Sequence, residues 1–508
     1  MDNQRLVQQL YQTFGYEHFR QGQQEIIEDV LAGRDVLGVL PTGTGKSICY
    51  QLPAKILPGL TIVVSPLISL MVDQVKQLKA SGYKAVAALN SFMDRKDRTR
   101  IMENIASYDL IYVSPEMLQN EWVTHYLSNL AVDLFVVDEA HCISQWGHEF
   151  RTDYLKLHEV IRELGNPVVL ALSATATPEV QEDIVGKLKC ETMVRHIHPM
   201  DKQNISLAVE HFASPEQKVD RMINLLKKNQ APTMIYFSSR QWAERVSNEL
   251  QHALEQRVAF YHGGMEQTDR MLVQQQFMND QLDIICCTSA FGMGVDKKNI
   301  RFVLHFHIPS QLESFIQEIG RAGRDGEPCV SLVLYSPKDH YLPQMLIQSE
   351  LPDQDQFLSV LSGLERYRKT GKSLPEDPEV LDLFELSESQ WNFIQYQLDQ
   401  MDVLKGKQLI RSPLAEDVRG FLEKLLMERW TYKHHKLNEM IGWIHCNGCR
   451  RVALYEPFQK GVREPDVLCC DACGFKIDQV KFNETSIKRK RDSWEKRLAD
   501  LFGKGETS

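Results

Sequence analysis

Lys46 and Ser47 close the run Pro41-Thr42-Gly43-Thr44-Gly45-Lys46-Ser47, whose residue types and spacing are those of a phosphate cradle. Glycine lets such a turn aim the backbone N–H groups of Thr42, Gly43, Thr44 and Gly45 at a polyphosphate. Lys46 then reaches the β- and γ-phosphates, and the Ser47 hydroxyl is placed to hold Mg²⁺. The strict pattern asks for glycine where this chain has Leu40, but Gly43 still supplies the flexible turn. Asp138-Glu139-Ala140-His141 offers the complementary half of a nucleoside-triphosphate site. Asp138 is suited to holding Mg²⁺, and Glu139 to orienting or deprotonating water.

Further residues suit the same substrate. Arg321 and Arg324, in Gln317-Glu318-Ile319-Gly320-Arg321-Ala322-Gly323-Arg324-Asp325-Gly326, are three apart and so share one face of a helix. Two guanidiniums there can neutralise γ-phosphate charge from across a cleft, as arginine fingers do. Upstream of the cradle, Tyr16 and Arg20 offer flat groups that stack on a base, and the Gln23 amide can both donate to and accept from an adenine edge. Gln145, Trp146, Gly147, His148, Glu149, Phe150 and Arg151 make a short aromatic and polar loop after Ser144. Its two rings either stack on single-stranded bases or pack as a Trp–Phe corner. Gly292-Met293-Gly294-Val295-Asp296 is a second flexible turn, placed to touch nucleotide and strand backbone, and Ser173-Ala174-Thr175 supplies small hydroxyls at a strand end. Farther on, Cys446-Asn447-Gly448-Cys449 and Cys470-Asp471-Ala472-Cys473 are two CxxC pairs at metal-site separation, which selects a closed, structural Cys₄ zinc site.

Positioning these residues takes strands with chemistry at their carboxyl ends. Apolar runs at Val36–Leu40, Leu60–Ser65, Leu110–Ser114, Val132–Asp138 and Val168–Ser173 alternate with helical stretches. The alternation predicts a parallel sheet covered on both faces. A second alternating unit follows at Thr233–Ser238, Val258–Tyr261, Leu282–Thr288, Phe302–His307 and Cys329–Tyr335, without a phosphate cradle of its own. Beyond it the pattern turns helical. Thr370 to Pro378 reads as a linker, Ser387 opens a helix through Leu398, and Val403–Arg411 reads as a hairpin. Helices followed by a hairpin outline a winged helix, although a plain helical spacer fits as well.

A chain of 508 residues exceeds what one core supports, so several domains are expected. The divisions fall at 1–195, 196–345, 346–430 and 431–508. No apolar run is long enough to span a membrane, and no signal region follows Met1, so the eleven cysteines are expected in a reducing cytoplasm, free or metal-bound. A net charge of −10 excludes a uniformly basic surface. Any nucleic-acid contact must therefore be local, for example at Lys481, Lys488, Arg489, Lys490, Arg491, Lys496 and Arg497 with Trp494 among them, a tail that reads equally as a solvated helix face.

In motif order over about residues 1–340 the chain resembles the RecQ family of DNA helicases, which have two tandem RecA-like domains. The motifs are FGYEHFRQGQ, PTGTGKS, VVSPLISLMVDQ, VSPEML, DEAH, SQWGHEFR, LSATAT, IYFSSR, CCTSAFGMGVDK and QEIGRAGRDG. That resemblance implies adenine binding by Tyr16, Arg20 and Gln23, a Mg-ATP site at Lys46, Ser47, Asp138 and Glu139, and Arg324 as the finger. It also implies that Trp146, Phe150 and Arg151 couple DNA to hydrolysis, with 3′-to-5′ unwinding of tailed or branched duplexes. Relatives carry one zinc cysteine upstream and three downstream, which would put Cys469 in place of Cys446. The paired set Cys446, Cys449, Cys470 and Cys473 is the expectation, because each CxxC forms a natural chelate turn. The other expectations are a short bacterial form lacking the terminal accessory domain, acting as a monomer on nucleoid DNA, with a single-stranded-DNA-binding protein as candidate partner and no membrane association.

Overall fold

The structure is a computed structural model that describes residues 3–144, 152–291 and 297–482. Its first lobe is a seven-stranded, wholly parallel sheet of β1 (Val36–Val39), β2 (Leu60–Val64), β3 (Val86–Leu89), β4 (Leu110–Val113), β5 (Val132–Val137), β6 (Val168–Ser173) and β7 (Val194–Ile197), in the order β3-β4-β2-β5-β6-β1-β7. β1, β2, β3 and β4 are buried at every position, as strands covered by helices on both faces must be. The order makes β5, β6 and β1 neighbours, so the three loops bearing Asp138, Ser173 and the phosphate cradle leave the sheet side by side. Every strand expected in this lobe forms, within one residue at its end. Sequence reading passed over β3 and β7, because Val-Ala-Ala-Leu and Val-Arg-His-Ile carry little β-branched apolar signal.

The second lobe is a six-stranded parallel sheet of β8 (Ile205–His211), β9 (Thr233–Tyr236), β10 (Val258–Tyr261), β11 (Ile284–Cys287), β12 (Phe302–His305) and β13 (Cys329–Tyr335), in the order β10-β11-β9-β12-β13-β8. β8, at the end of the row, also pairs in parallel with Cys470 through Leu207, and the Leu207 N–H donates to the Cys469 carbonyl at 3.1 Å. These are two RecA-like lobes joined by residues 198–204.

Four helices follow, Tyr341–Glu350, Gln354–Thr370, Asp377–Phe384 and Glu388–Gln400, with a small antiparallel hairpin of β14 (Leu404–Lys405) and β15 (Gln408–Leu409). Ser387 opens the last helix with a reciprocal cap to Gln390. These elements share a core around Phe357, Leu361, Trp391, Leu398 and Leu404. The expected linker is a short, anchored turn: Leu374 is buried, and its N–H donates to Lys407 of the hairpin at 2.8 Å. A 29-residue helix, Glu416–Ile444, then runs from this core to the cysteine-bearing segment. It passes straight through residue 430, where a division was expected. No proline interrupts the sequence there; apolar positions bury the two ends (Leu422, Leu425, Leu426, then Leu437, Met440, Ile444), and Arg429, Lys433 and Lys436 continue the buried face between them. No helix among the described residues is long and apolar enough to cross a membrane.

Candidate functional site

A cleft of about 400 Å³ lies between the lobes, within the usual range for a small-molecule site. The first lobe lines it with Tyr16, Arg20, Gln23, Thr42, Gly43, Gly45, Lys46, Ser47, Asp138 and Glu139, and the second with Lys298, Gln317, Arg321 and Arg324. The phosphate cradle leaves β1 as expected, and the helix Ile48–Ile56 begins directly after Ser47. Gly43 needs to be glycine twice over. Its φ is +84°, and a Cβ there would come within 3.0 Å of the Arg324 side chain. The arginine from one lobe thus lies directly on the cradle of the other. At a second crossing, a Cβ on Gly320 would fall 2.0 Å from the Thr42 hydroxyl, so only glycine lets the lobes approach this closely.

Arg20 and Gln23 brace the cradle. Arg20 Nη1 donates to the Gly43 carbonyl at 2.7 Å, and Gln23 Nε2 donates to the Thr44 and Gly45 carbonyls at 2.8 and 2.9 Å. Thr44 Oγ1 closes the turn onto the Pro41 carbonyl at 2.7 Å. Tyr16 is 53% exposed at the cleft mouth, with its ring open for stacking.

Asp138 follows β5 and is buried. Burial, with the Glu139 charge adding to it and Lys46 opposing it, pushes its carboxyl up to about 7. A carboxylate so poorly solvated gains strongly from a cation beside it, as a Mg²⁺ ligand should. Glu139 adopts a left-handed conformation, φ +50°, which is strained for a non-glycine residue and places its side chain at the cleft. His141 is wholly buried and sits 3.6 Å from Glu139 and 3.0 Å from the Ser173 hydroxyl, linking the ends of β5 and β6. Sequence reading did not single out His141, although its place two residues after Glu139 was a usable signal.

Arg321 and Arg324 are not on the helix itself. The helix Leu312–Ile319 ends at Gly320, and both arginines belong to the turn that follows, where Gly323 has φ +55°. Arg321 is 4% exposed. Beneath the turn, Lys202 Nζ donates to the Gly320 and Ala322 carbonyls at 2.6 and 3.1 Å. Burial, then the nearby charges of Arg324 and Arg321, draw that amine down to about 7. Lys202, Lys298 and Gln317 were all missed. Nothing marks Lys202 in the connector or Lys298 in its loop by spacing, whereas Gln317, on the helix Leu312–Ile319, stood in the quoted arginine motif without a role.

Four sulfurs converge at the far end of the long helix. Those of Cys449, Cys469, Cys470 and Cys473 lie within 4.8 Å of one another, with Cys449 and Cys469 at 3.5 Å. Tetrahedral zinc with bonds of about 2.3 Å sets its sulfurs about 3.8 Å apart, so the donor set fits that ion. The pairing of CxxC turns chose Cys446, and the geometry does not. Cys446 is outside the group and faces Arg450 Nη1 at 3.8 Å, because the turn Asn447-Gly448 carries Cys449 alone to the cluster. Cys469 takes the vacated place. Burial alone would raise the Cys449 thiol, but the Val452 amide, the Cys469 and Cys473 thiols and the Arg451 amide outweigh it and hold it below its ordinary value. Native mass spectrometry is expected to find one Zn²⁺ in the wild type, none in Cys470→Ser or Cys469→Ser, and one in Cys446→Ser. An unchanged metal content in Cys470→Ser would remove the site.

Gln145, Trp146, His148, Phe150 and Arg151, the turn 292–296, and the basic tail beyond Lys481 lie outside the described residues. The flanks of the aromatic loop are placed: Ser144 Oγ donates to Asp183 at 2.7 Å, and Tyr154 Oη to the Asp138 carbonyl at 3.2 Å.

Residues 20–184 match the DEAD/DEAH box helicase family, and residues 217–326 match the helicase conserved C-terminal domain. The chain is 42% identical over 502 residues to the probable ATP-dependent DNA helicase RecS of Bacillus subtilis, covering 98% of each protein. It is 40% identical over 351 residues to the ATP-dependent DNA helicase RecQ of Haemophilus influenzae, a match spanning 68% of this chain and 56% of that protein. Among solved structures, the helicase Mss116 bound to single-stranded RNA superposes with a TM-score of 0.58 at 18% identity, over 85% of this chain and 94% of that one. The Mycobacterium smegmatis helicase Lhr bound to single-stranded DNA gives 0.56 at 19% identity, over 80% and 58%. At those identities the two structures share the fold.

Proposed function

The chain belongs to the RecQ family of ATP-dependent DNA helicases, and from that we propose that it translocates 3′ to 5′ along single-stranded DNA and separates tailed or branched duplexes during recombination and repair. The observation that carries this reading is the contact between Arg324 of one lobe and Gly43 of the other, inside the cleft lined by Lys46, Ser47, Asp138 and Glu139. Lys46 and the cradle amides bind the phosphates, Ser47 and Asp138 hold Mg²⁺, and Glu139 orients the attacking water. When bound by Ser47 and Asp138, Mg²⁺ would supply neutralisation of the triphosphate charge. Arg324, with Arg321 beside it, reaches the γ-phosphate from the second lobe, so binding ATP draws the lobes together and hydrolysis releases them.

A strand lying across both lobes is stepped along by each cycle. Its backbone supplies most contacts, so sequence preference is slight and salt dependence strong. Trp146, Phe150 and Arg151, which follow Ser144 in the sequence, couple the strand to hydrolysis, and Tyr16 stacks on the adenine. One chain supplies both halves of the cleft, which supports a monomeric motor. We extend the proposal to nucleoid DNA in the cytoplasm and to a single-stranded-DNA-binding protein as partner. The four converging cysteines hold a structural Zn²⁺.

Strand displacement on 3′-tailed, 5′-tailed and blunt duplexes of DNA and RNA tests the reading. ATP-dependent opening of 3′-tailed DNA, with little opening of the 5′-tailed and blunt forms, is expected. Opening of RNA alone would refute the choice of substrate. Annealing without opening would make the protein a strand remodeller.

A further inference from the structure

The connector between the lobes is held from two directions. Toward the cleft, Lys202 donates to the carbonyls on either side of Arg321, and Asn204 Nδ2 donates to the Gly323 and Glu327 carbonyls, both at 2.8 Å. On the opposite side the connector is gripped by the cysteine-bearing segment. Arg451, 1% exposed and two residues after Cys449, donates from Nη1 to the Lys202 carbonyl at 2.7 Å and from Nη2 to the Ile205 carbonyl. Buried Asp201 accepts from the Arg463 N–H at 2.8 Å and from Gln459 Nε2 at 2.9 Å. The helix Leu312–Ile319 that leads into the arginine turn is fixed as well: Lys436 pairs with Glu313 at 2.9 Å, and the Trp443 and Phe315 rings pack with centroids 4.6 Å apart.

We propose that Lys202 is a positioning residue for Arg321 and Arg324, and that the cysteine cluster sets its place through Arg451. The chain of contacts runs from Cys449, which heads the helix Arg450–Tyr455, to the Arg451 guanidinium on that helix, to the backbone at 202 and 205, to the Lys202 amine, and to the turn that meets the triphosphate. A largely buried amine beside two guanidiniums is a costly choice for packing alone, since an apolar side chain would fill the space without like-charge repulsion. What the amine provides is a pair of hydrogen bonds at the carbonyls that flank Arg321. The proposal rests on the reading of Arg321 and Arg324 as nucleotide-sensing groups.

The test uses the full chain, ATP and a single-stranded DNA oligonucleotide. Lys202→Met is expected to lower DNA-stimulated kcat about ten- to a hundredfold, the scale of a misplacement near 1 Å, with KM for ATP, DNA affinity and the unfolding midpoint unchanged. Lys202→Arg should restore most of the loss, because its guanidinium can again donate to the same carbonyls. Arg451→Met should reproduce the fall in kcat, and carries the test if Lys202→Met does not fold. Placed in an Arg324→Ala background, Lys202→Met should cost far less than in the wild type, since it acts through the turn that carries Arg324. Wild-type turnover in both Lys202→Met and Arg451→Met, or losses that multiply in full with Arg324→Ala, would overturn the inference while leaving the two-lobe ATP site standing. Wild-type turnover in Arg324→Ala itself would overturn both.

Discussion

Lys46→Ala is expected to reduce DNA-stimulated ATP hydrolysis by at least about a hundredfold, and Glu139→Gln by a similar factor, with single-stranded DNA still bound by both. Each substitution removes one function from the cleft and leaves the walls in place. Lys46 is the cation that the phosphate cradle delivers to the β- and γ-phosphates. Without it the cradle's amides must bind a polyanion alone, so the loss falls on both ATP affinity and turnover. Glu139 is different. Its strained backbone, φ +50°, holds the carboxylate at the cleft, and the Gln amide keeps its shape and hydrogen bonding while losing the charge that organises water. Glu139→Gln should therefore bind ATP normally and trap the closed, DNA-bound form. Steady-state hydrolysis beside fluorescence anisotropy of a labelled oligonucleotide separates the two effects. Wild-type turnover in either variant would show the site to be misassigned.

Arg324→Ala is expected to cost about a thousandfold in kcat, or about 4 kcal/mol of transition-state stabilisation, while ATP still binds the first lobe. The residue belongs to the second lobe but lies on Gly43 of the first, so its loss should uncouple lobe closure from hydrolysis as well as slow the chemistry. Single-turnover hydrolysis, together with a distance probe across the lobes, checks both parts. A variant that closes on ATP as the wild type does would mean that the finger senses no γ-phosphate.

Much of this was legible in the chain itself. The β1 run, the two glycines and Lys46-Ser47 dictate a strand, a turn and a helix by local rules alone, and the structure follows them to within a residue. Asp138 was readable because an apolar strand that ends in a carboxylate has few other uses. The arginine pair lines the cleft but does not share a helical face as expected, since the helix ends at Gly320, before Arg321. Contacts between distant segments were not readable. Lys202 beneath the turn depends on a sequence separation of more than a hundred residues, and the exchange of Cys469 for Cys446 on how one turn is oriented after a long helix. Both CxxC pairs look alike in sequence, and only the path of residues 446–449 tells them apart.

The pairing of Cys470 with Leu207 also bears on solubility. β8 is the last strand of its sheet, and with residues 468–471 removed its outer row of N–H and C=O groups would be bare, a template on which another chain can add a strand. The segment that carries the cysteine cluster therefore serves as a lid on a sticky border. A Cys470→Ser variant, which loosens that segment, should be lost first to self-association, in a concentration-dependent way, before its ATP-binding lobe unfolds.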